Sequence, residues 1–164
     1  MRIHNMAELR AALPRHTRLI GIDPGTRVLG VALSDVTLML ASPYGAIPRG
    51  KLAPIAAELA RIARKEEAGG LVVGLPLSMD GSFGPAAQAA KDFGLALAEA
   101  AGLPVAFWDE RLSSAAVNRA MIAADMTRAR RAKTVDAAAA AYMLQAALDA
   151  SRRASRDVTE PVEW

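Results

Sequence analysis

Carboxylates stand at the ends of three apolar segments, where a side chain is held most firmly. Asp23 closes the run RLIGID and is followed by Pro24 and Gly25. Asp109 and Glu110 close LPVAFWDE, and Asp136 opens the alanine-rich stretch VDAAAAAYMLQAAL. Oxygen ligands on rigid strand ends suit a hard divalent cation, Mg²⁺ or Mn²⁺. The chain has no cysteine and only two histidines, His4 and His16. That excludes disulfides, thiolate chemistry, Cys-based zinc sites and a His-rich metal centre. Each carboxylate also has a plainer explanation: Asp-Pro-Gly is a common turn, and an acidic residue favours the start of a helix. Side chains alternate along a strand, so only one of Asp109 and Glu110 can share a face with Asp23, and spacing does not decide which. Gly25 lacks a Cβ and would let a phosphate backbone approach.

Charge marks a second feature. Residues 1–110 carry 11 basic and 11 acidic residues, whereas residues 111–133 hold Arg111, Arg119, Arg128, Arg130, Arg131 and Lys133 against Asp125 alone. Such a cluster can track a polyanion, although a solvated face accounts for it equally well on charge alone. Two other motifs fail on chemistry. Gly45–Leu52 matches seven positions of a phosphate-binding P-loop, but Leu52 replaces the hydroxyl residue that would bind magnesium. No G-x-S-x-G elbow occurs, and a serine hydrolase would need a histidine from the N-terminal segment.

The elements that must position these residues follow from periodicity. With 164 residues and 52% apolar composition, the chain suits one domain. Strands are expected at 18–23, 28–34 and 37–48 as an antiparallel meander, with Pro43 marking an edge or a break. A helix over 53–67 precedes a strand at 70–76, whose continuous apolar character suits burial on both faces. Pro85 and Gly102 bracket a helix over 85–101. A strand at 103–110 and a helix from Ser113 or Ser114 to about 123 follow. Thr134 would cap a last helix over 135–150. The order β-β-β-α-β-α-β-α-α calls for a mixed five-stranded sheet flanked by helices. Residues 1–16, with a short helix at 5–12, read as an extension, 17–150 as the domain, and 151–164 as a flexible tail. The absence of an 18-residue apolar run excludes a membrane span, and the charged N-terminus lacks the apolar core of a signal peptide, so the cytoplasm is expected.

Four ordered segments make the pattern specific: LIGIDPGTRVLGVALSD, VVGLPLSMDGS, DERLSS and KTVDAAAAAYMLQ. Over about residues 18–150 the chain resembles the YqgF (RuvX-type) family, whose members are described as Holliday junction resolvases and as nucleases of pre-16S ribosomal RNA 5′-end maturation. The resemblance implies a ribonuclease H-like α/β fold. It implies that Asp23, Glu110 and Asp136 are the catalytic, metal-binding residues, and it chooses Glu110 over Asp109. It also implies phosphodiester hydrolysis with Mg²⁺ or Mn²⁺, acting on precursor ribosomal RNA or branched DNA. Gly25, Arg111, Arg128, Arg130, Arg131 and Lys133 would contact that nucleic acid, though a surface ion pair explains Arg111 as well. Relatives often carry Asn where this chain has Ser78, so an amide-mediated contact there is not carried over. An actin-like or sugar-kinase ATPase also places Asp-x-Gly after its first strand, but needs two lobes that 164 residues cannot supply. A non-catalytic nucleic-acid-binding module would share every feature of the fold.

Overall fold

A strand with consecutive buried residues must be covered on both faces, and the burial of every residue of 19–23 and 29–34 dictates that arrangement here. The computed structural model describes residues 3–25, 27–77, 80–110 and 128–159, with side chains described within 5–25, 27–77, 80–110 and 136–152. In chain order the elements are β1 (Ile3–His4), α1 (Met6–Ala12), β2 (Arg18–Pro24), β3 (Val28–Ser34), β4 (Ala41–Pro48) and α2 (Leu52–Glu66). They continue with β5 (Ala68–Leu75), α3 (Pro85–Ala101), β6 (Val105–Asp109) and α4 (Arg128–Thr159). The sheet order is β1-β6-β5-β2-β3-β4. Strands β2, β3 and β4 form the expected antiparallel meander, and β2, β5, β6 and β1 run parallel.

Each face of the sheet has its own apolar core. Ile20, Ile22, Val31, Leu71 and Val73 meet Ile55, Leu59 and Ile62 of α2 and Leu97 of α3. On the other face Leu19, Ala32, Val72 and Ala106 meet Met6 and Leu9 of α1 and Met143, Leu144 and Leu148 of α4. Among the described residues no helix is long and apolar enough to cross a membrane.

Several boundaries differ from the expected ones. The five expected strands are present, and a two-residue sixth, β1, adds to the β6 edge. The segment read as an N-terminal extension therefore joins the sheet, and Leu9 of α1 is fully buried. The third strand begins at Ala41 rather than 37, because Asp35 ties the preceding residues into a turn: its carboxylate accepts from Met39 N at 2.8 Å and Leu40 N at 3.0 Å. Pro43 does lie on an edge strand, and the β3–β4 register slips so that Gly45 and Pro43 face consecutive residues, leaving Tyr44 as a bulge. Helix α3 spans the expected residues, with Gly102 in the left-handed conformation just past its end (φ 73°). The last helix runs from Arg128 to Thr159 instead of 135–150, so Thr134 lies inside it and the expected tail begins within it. Ser151 is buried, accepts a bond from Arg10 Nη1 at 3.2 Å and donates to Leu148 O at 2.8 Å. The expected helix over 113–123 lies outside the described residues.

Candidate active site

The alternation of β2 decides where Asp23 points. Leu19 packs in the core beneath α4, and a Cβ on Gly21 would touch Leu144 of α4, so Asp23, two residues on, shares that face. It is 5% exposed.

Its two neighbours in the sheet are glycines. In the antiparallel ladder Asp23 is paired with Gly30 of β3. In the parallel ladder Ile22 is level with Val73 of β5, so the next step sets Asp23 beside Gly74. Both glycines admit a close approach from above. A Cβ on Gly30 would collide with the carbonyl oxygen of Asp136 and stand 2.6 Å from its carbonyl carbon. A Cβ on Gly74 would stand 2.5 Å from Glu110 Oε1 and 2.9 Å from its Cγ. Real Cβ atoms do not tolerate such distances, so α4 seats its main chain on β3 and Glu110 lays its side chain on β5 only because both positions are glycine. Asp23 thus occupies the middle of three strands, with the Glu110 carboxylate over one neighbour and the Asp136 backbone over the other.

Asp109 is on the opposite face. Ala106 belongs to the α4-side core and Phe107 packs against the α2–α3 core, so Asp109 follows Phe107. Glu110, just past the strand, returns to the Asp23 face. Asp136 does not sit in a first helical turn as its sequence position suggested, because α4 starts eight residues earlier. Helix-end stabilisation therefore does not account for it.

Gly25 has a local reason to be glycine. Its N–H donates to Val28 O at 3.1 Å, and a Cβ would strike that same oxygen. The turn between β2 and β3 demands the residue whatever binds beside it. The Gly45–Leu52 run forms no phosphate loop, since Gly45–Pro48 complete β4 and Leu52 already begins α2. Arg49 within that run does something its motif position did not announce: its Nη1 donates to Gly25 O at 2.6 Å. Arg128, Arg130, Arg131 and Lys133 form the opening turns of α4, ahead of Asp136 on the same helix. Arg111, Arg119 and Ser78 lie outside the described residues.

The donors are all oxygen, which fits a hard divalent cation in kind. Among the described residues no three acidic, histidine or cysteine side chains come close enough to form a ligand set. Asp23, the Glu110 side chain and the main chain of Asp136 lie on one face and one end of the sheet, and the carboxylates do not close on a single point.

Comparison with known proteins places the whole domain. Residues 17–150 match the RuvX family model, described as Holliday junction resolvase. A protein of Gluconacetobacter diazotrophicus is 64% identical over 152 residues, covering 92% of this chain and 99% of that protein. One of Acidiphilium cryptum is 64% identical over 149 residues, covering 91% and 94%. Both bear the provisional name pre-16S rRNA nuclease. Among solved structures, Thermus thermophilus RuvC in complex with a Holliday junction substrate matches with a TM-score of 0.53 at 20% identity, covering 84% of this chain and 97% of RuvC. That likeness concerns the fold, which is the ribonuclease H-like α/β architecture with its mixed sheet and flanking helices.

Proposed function

The chain belongs to the RuvX Holliday junction resolvase family, and from that premise we propose that it is a divalent-metal-dependent nuclease that hydrolyses phosphodiester bonds in the 5′-end processing of pre-16S ribosomal RNA. The observation that carries this reading is the placement of Asp23 between Gly30 and Gly74, with Asp136 and Glu110 brought over them. The names of relatives at 64% identity support RNA as the substrate, and work in the cytoplasm belongs to the same reading. Resolution of branched DNA is the second reading, favoured by the family description and by the junction-bound RuvC of the same fold.

In this mechanism Asp23, Glu110 and Asp136 would hold Mg²⁺ or Mn²⁺ once drawn together around it. A bound divalent cation supplies Lewis-acid activation of water for in-line attack and neutralises charge on the leaving 3′-oxygen. Asp23 has the least freedom of the three, being buried on a central strand, and it sets the position of the site. Glu110 rests on Gly74 and can adjust through its side-chain torsions. Asp136 is carried by the main chain of α4, docked on Gly30. Arg128, Arg130, Arg131 and Lys133, with Arg111 on the segment after Glu110, bind the phosphates that flank the scissile bond. The Gly25 turn lies beside the path of the polynucleotide.

The test is cleavage of labelled precursor 16S RNA and of a four-way DNA junction by purified protein, with Mn²⁺ or EDTA. Native protein should cut one of them only with the metal, and Asp23→Asn should bind without cutting. Binding with no cleavage by native protein would instead identify a non-catalytic module, and cleavage by Asp23→Asn would remove Asp23 from the chemistry.

A further inference from the structure

We propose that Arg49 is a substrate-phosphate ligand, held ready by Gly25 and Phe93 at the strand end that carries Asp23. The inference rests on the nuclease reading and adds a residue from outside the basic segment 111–133.

Arg49 follows the last residue of β4. Its backbone N–H donates to Arg27 O at 2.9 Å, which extends the β3–β4 pairing by one bond. Its Nη1 donates to Gly25 O at 2.6 Å, and its guanidinium carbon stands 4.9 Å from the centroid of the Phe93 ring on α3. One side chain thus joins the Asp23–Pro24–Gly25 turn to α3. It remains exposed nonetheless.

A surface arginine usually keeps its rotamer freedom, and when it is ordered a carboxylate commonly orders it. Among the described residues the partners of Arg49 are a carbonyl and a ring, so its charge is fixed in place without being neutralised. A guanidinium has five N–H donors and Gly25 O takes one. The contact with Phe93 is made through the guanidinium carbon, and the side chain is exposed, so its remaining donors can offer a planar fork to the oxygens of a phosphate. Arg49 follows Ile47 onto the α2–α3 face of the sheet, opposite the face of Asp23, but at the same strand end. Gly25 lies two residues beyond Asp23, about 7 Å along an extended strand, so a polynucleotide backbone crossing that strand end can set one phosphate on Arg49 and the next group at Asp23. Arg27 and Lys51, both exposed, add positive charge to the same strand end.

The experiment uses the full chain, a fluorescein-labelled single-stranded RNA and the four-way DNA junction. Binding is followed by anisotropy across a salt series, and cleavage by KM and kcat. Removing one phosphate contact should lower the slope of log affinity against log salt by ~0.7 on single-stranded RNA. Arg49→Met should show that loss, with KM raised about tenfold, kcat within about threefold and Tm nearly unchanged. Arg49→Lys should retain the slope while recovering only part of the KM, because the charge remains and the fork does not. Phe93→Leu should also retain the slope and raise KM. Should Arg49→Met lower Tm and kcat with the salt slope intact, Arg49 merely pins the turn and the proposal fails alone. Should native protein neither bind nor cut either substrate, the nuclease reading falls and takes this proposal with it.

Discussion

The carboxylate of Glu110 lies directly over the main chain of Gly74, so close that a single methyl group on Gly74 would come within 2.5 Å of Glu110 Oε1. A residue outside the acidic set therefore governs where one member of it can rest.

Gly74→Ala separates position from presence. The atoms in the way belong to a side chain that can swing aside, so stability should change by about 1 kcal/mol or less. Glu110 would be displaced, and cleavage should fall at least about tenfold, since placement errors of an ångström are costly in catalysis. Thermal unfolding and single-turnover cleavage of the same preparation check both halves. Native-like cleavage would show that Glu110 has no need of this seat.

Gly30→Ala should behave differently. Its methyl group would meet the main chain of Asp136, which cannot rotate away without moving α4. A loss of about 3 kcal/mol is expected, measurable by urea unfolding and clearly larger than that of Gly74→Ala. Equal stabilities for the two variants would contradict the docking of α4 on β3.

The N-terminal helix is expected to be indispensable. Leu9 is completely buried between the sheet and α4, so Leu9→Ala should cost roughly 2–5 kcal/mol. A denaturant midpoint within experimental error of the native one would make α1 peripheral.

Acid sensitivity should trace in part to Asp35. Burial, the largest single influence, pushes its carboxyl up, but the Thr37 hydroxyl and the Leu40 and Met39 amides together outweigh it and lower the pKa from 3.8 to about 2. The folded state thus favours the charged form, and the stability this brings is complete above the unfolded value and lost as pH falls towards 2. Asp35→Asn should be less stable than native protein at pH 7, and the gap should already narrow by about pH 3. Urea unfolding of both proteins across that range gives the answer, and a gap that is constant or widens in acid would exclude the carboxylate as its source.

How far the sequence could be read depended on whether its signals were local. Helix α3 was legible to its terminal residues because Pro85 and Gly102 are explicit punctuation. The strands carrying Asp23 and Glu110 were legible from their apolar runs, and the family resemblance chose Glu110 from the adjacent pair. Thr134 misled, since a capping residue followed by alanines looks like a helix start. The Arg- and Ala-rich residues before it are themselves good helix formers, and the helix runs through. Residues 1–16 read as an extension because two strand residues and a seven-residue helix show too little periodicity to reveal a buried face. The seats at Gly30 and Gly74 are contacts between distant segments, and nothing local distinguishes those glycines from others in strands. Arg49 carries no local signal for a related reason, as its partners Gly25 and Phe93 are 24 and 44 positions away.

The broken β4 strand has a consequence for the fate of the chain in a crowded solution. An open sheet edge can template another strand, and repetition of that event produces fibrils. Here one edge is β1, only two residues long. The other is β4, where Pro43 and Pro48 have no N–H to offer and Tyr44 bulges out of register. Leu40, 66% exposed at the entrance to β4, would otherwise be an adhesive start for such growth. The prolines and the bulge act as gatekeepers, denying an incoming strand any unbroken ladder on which to polymerise.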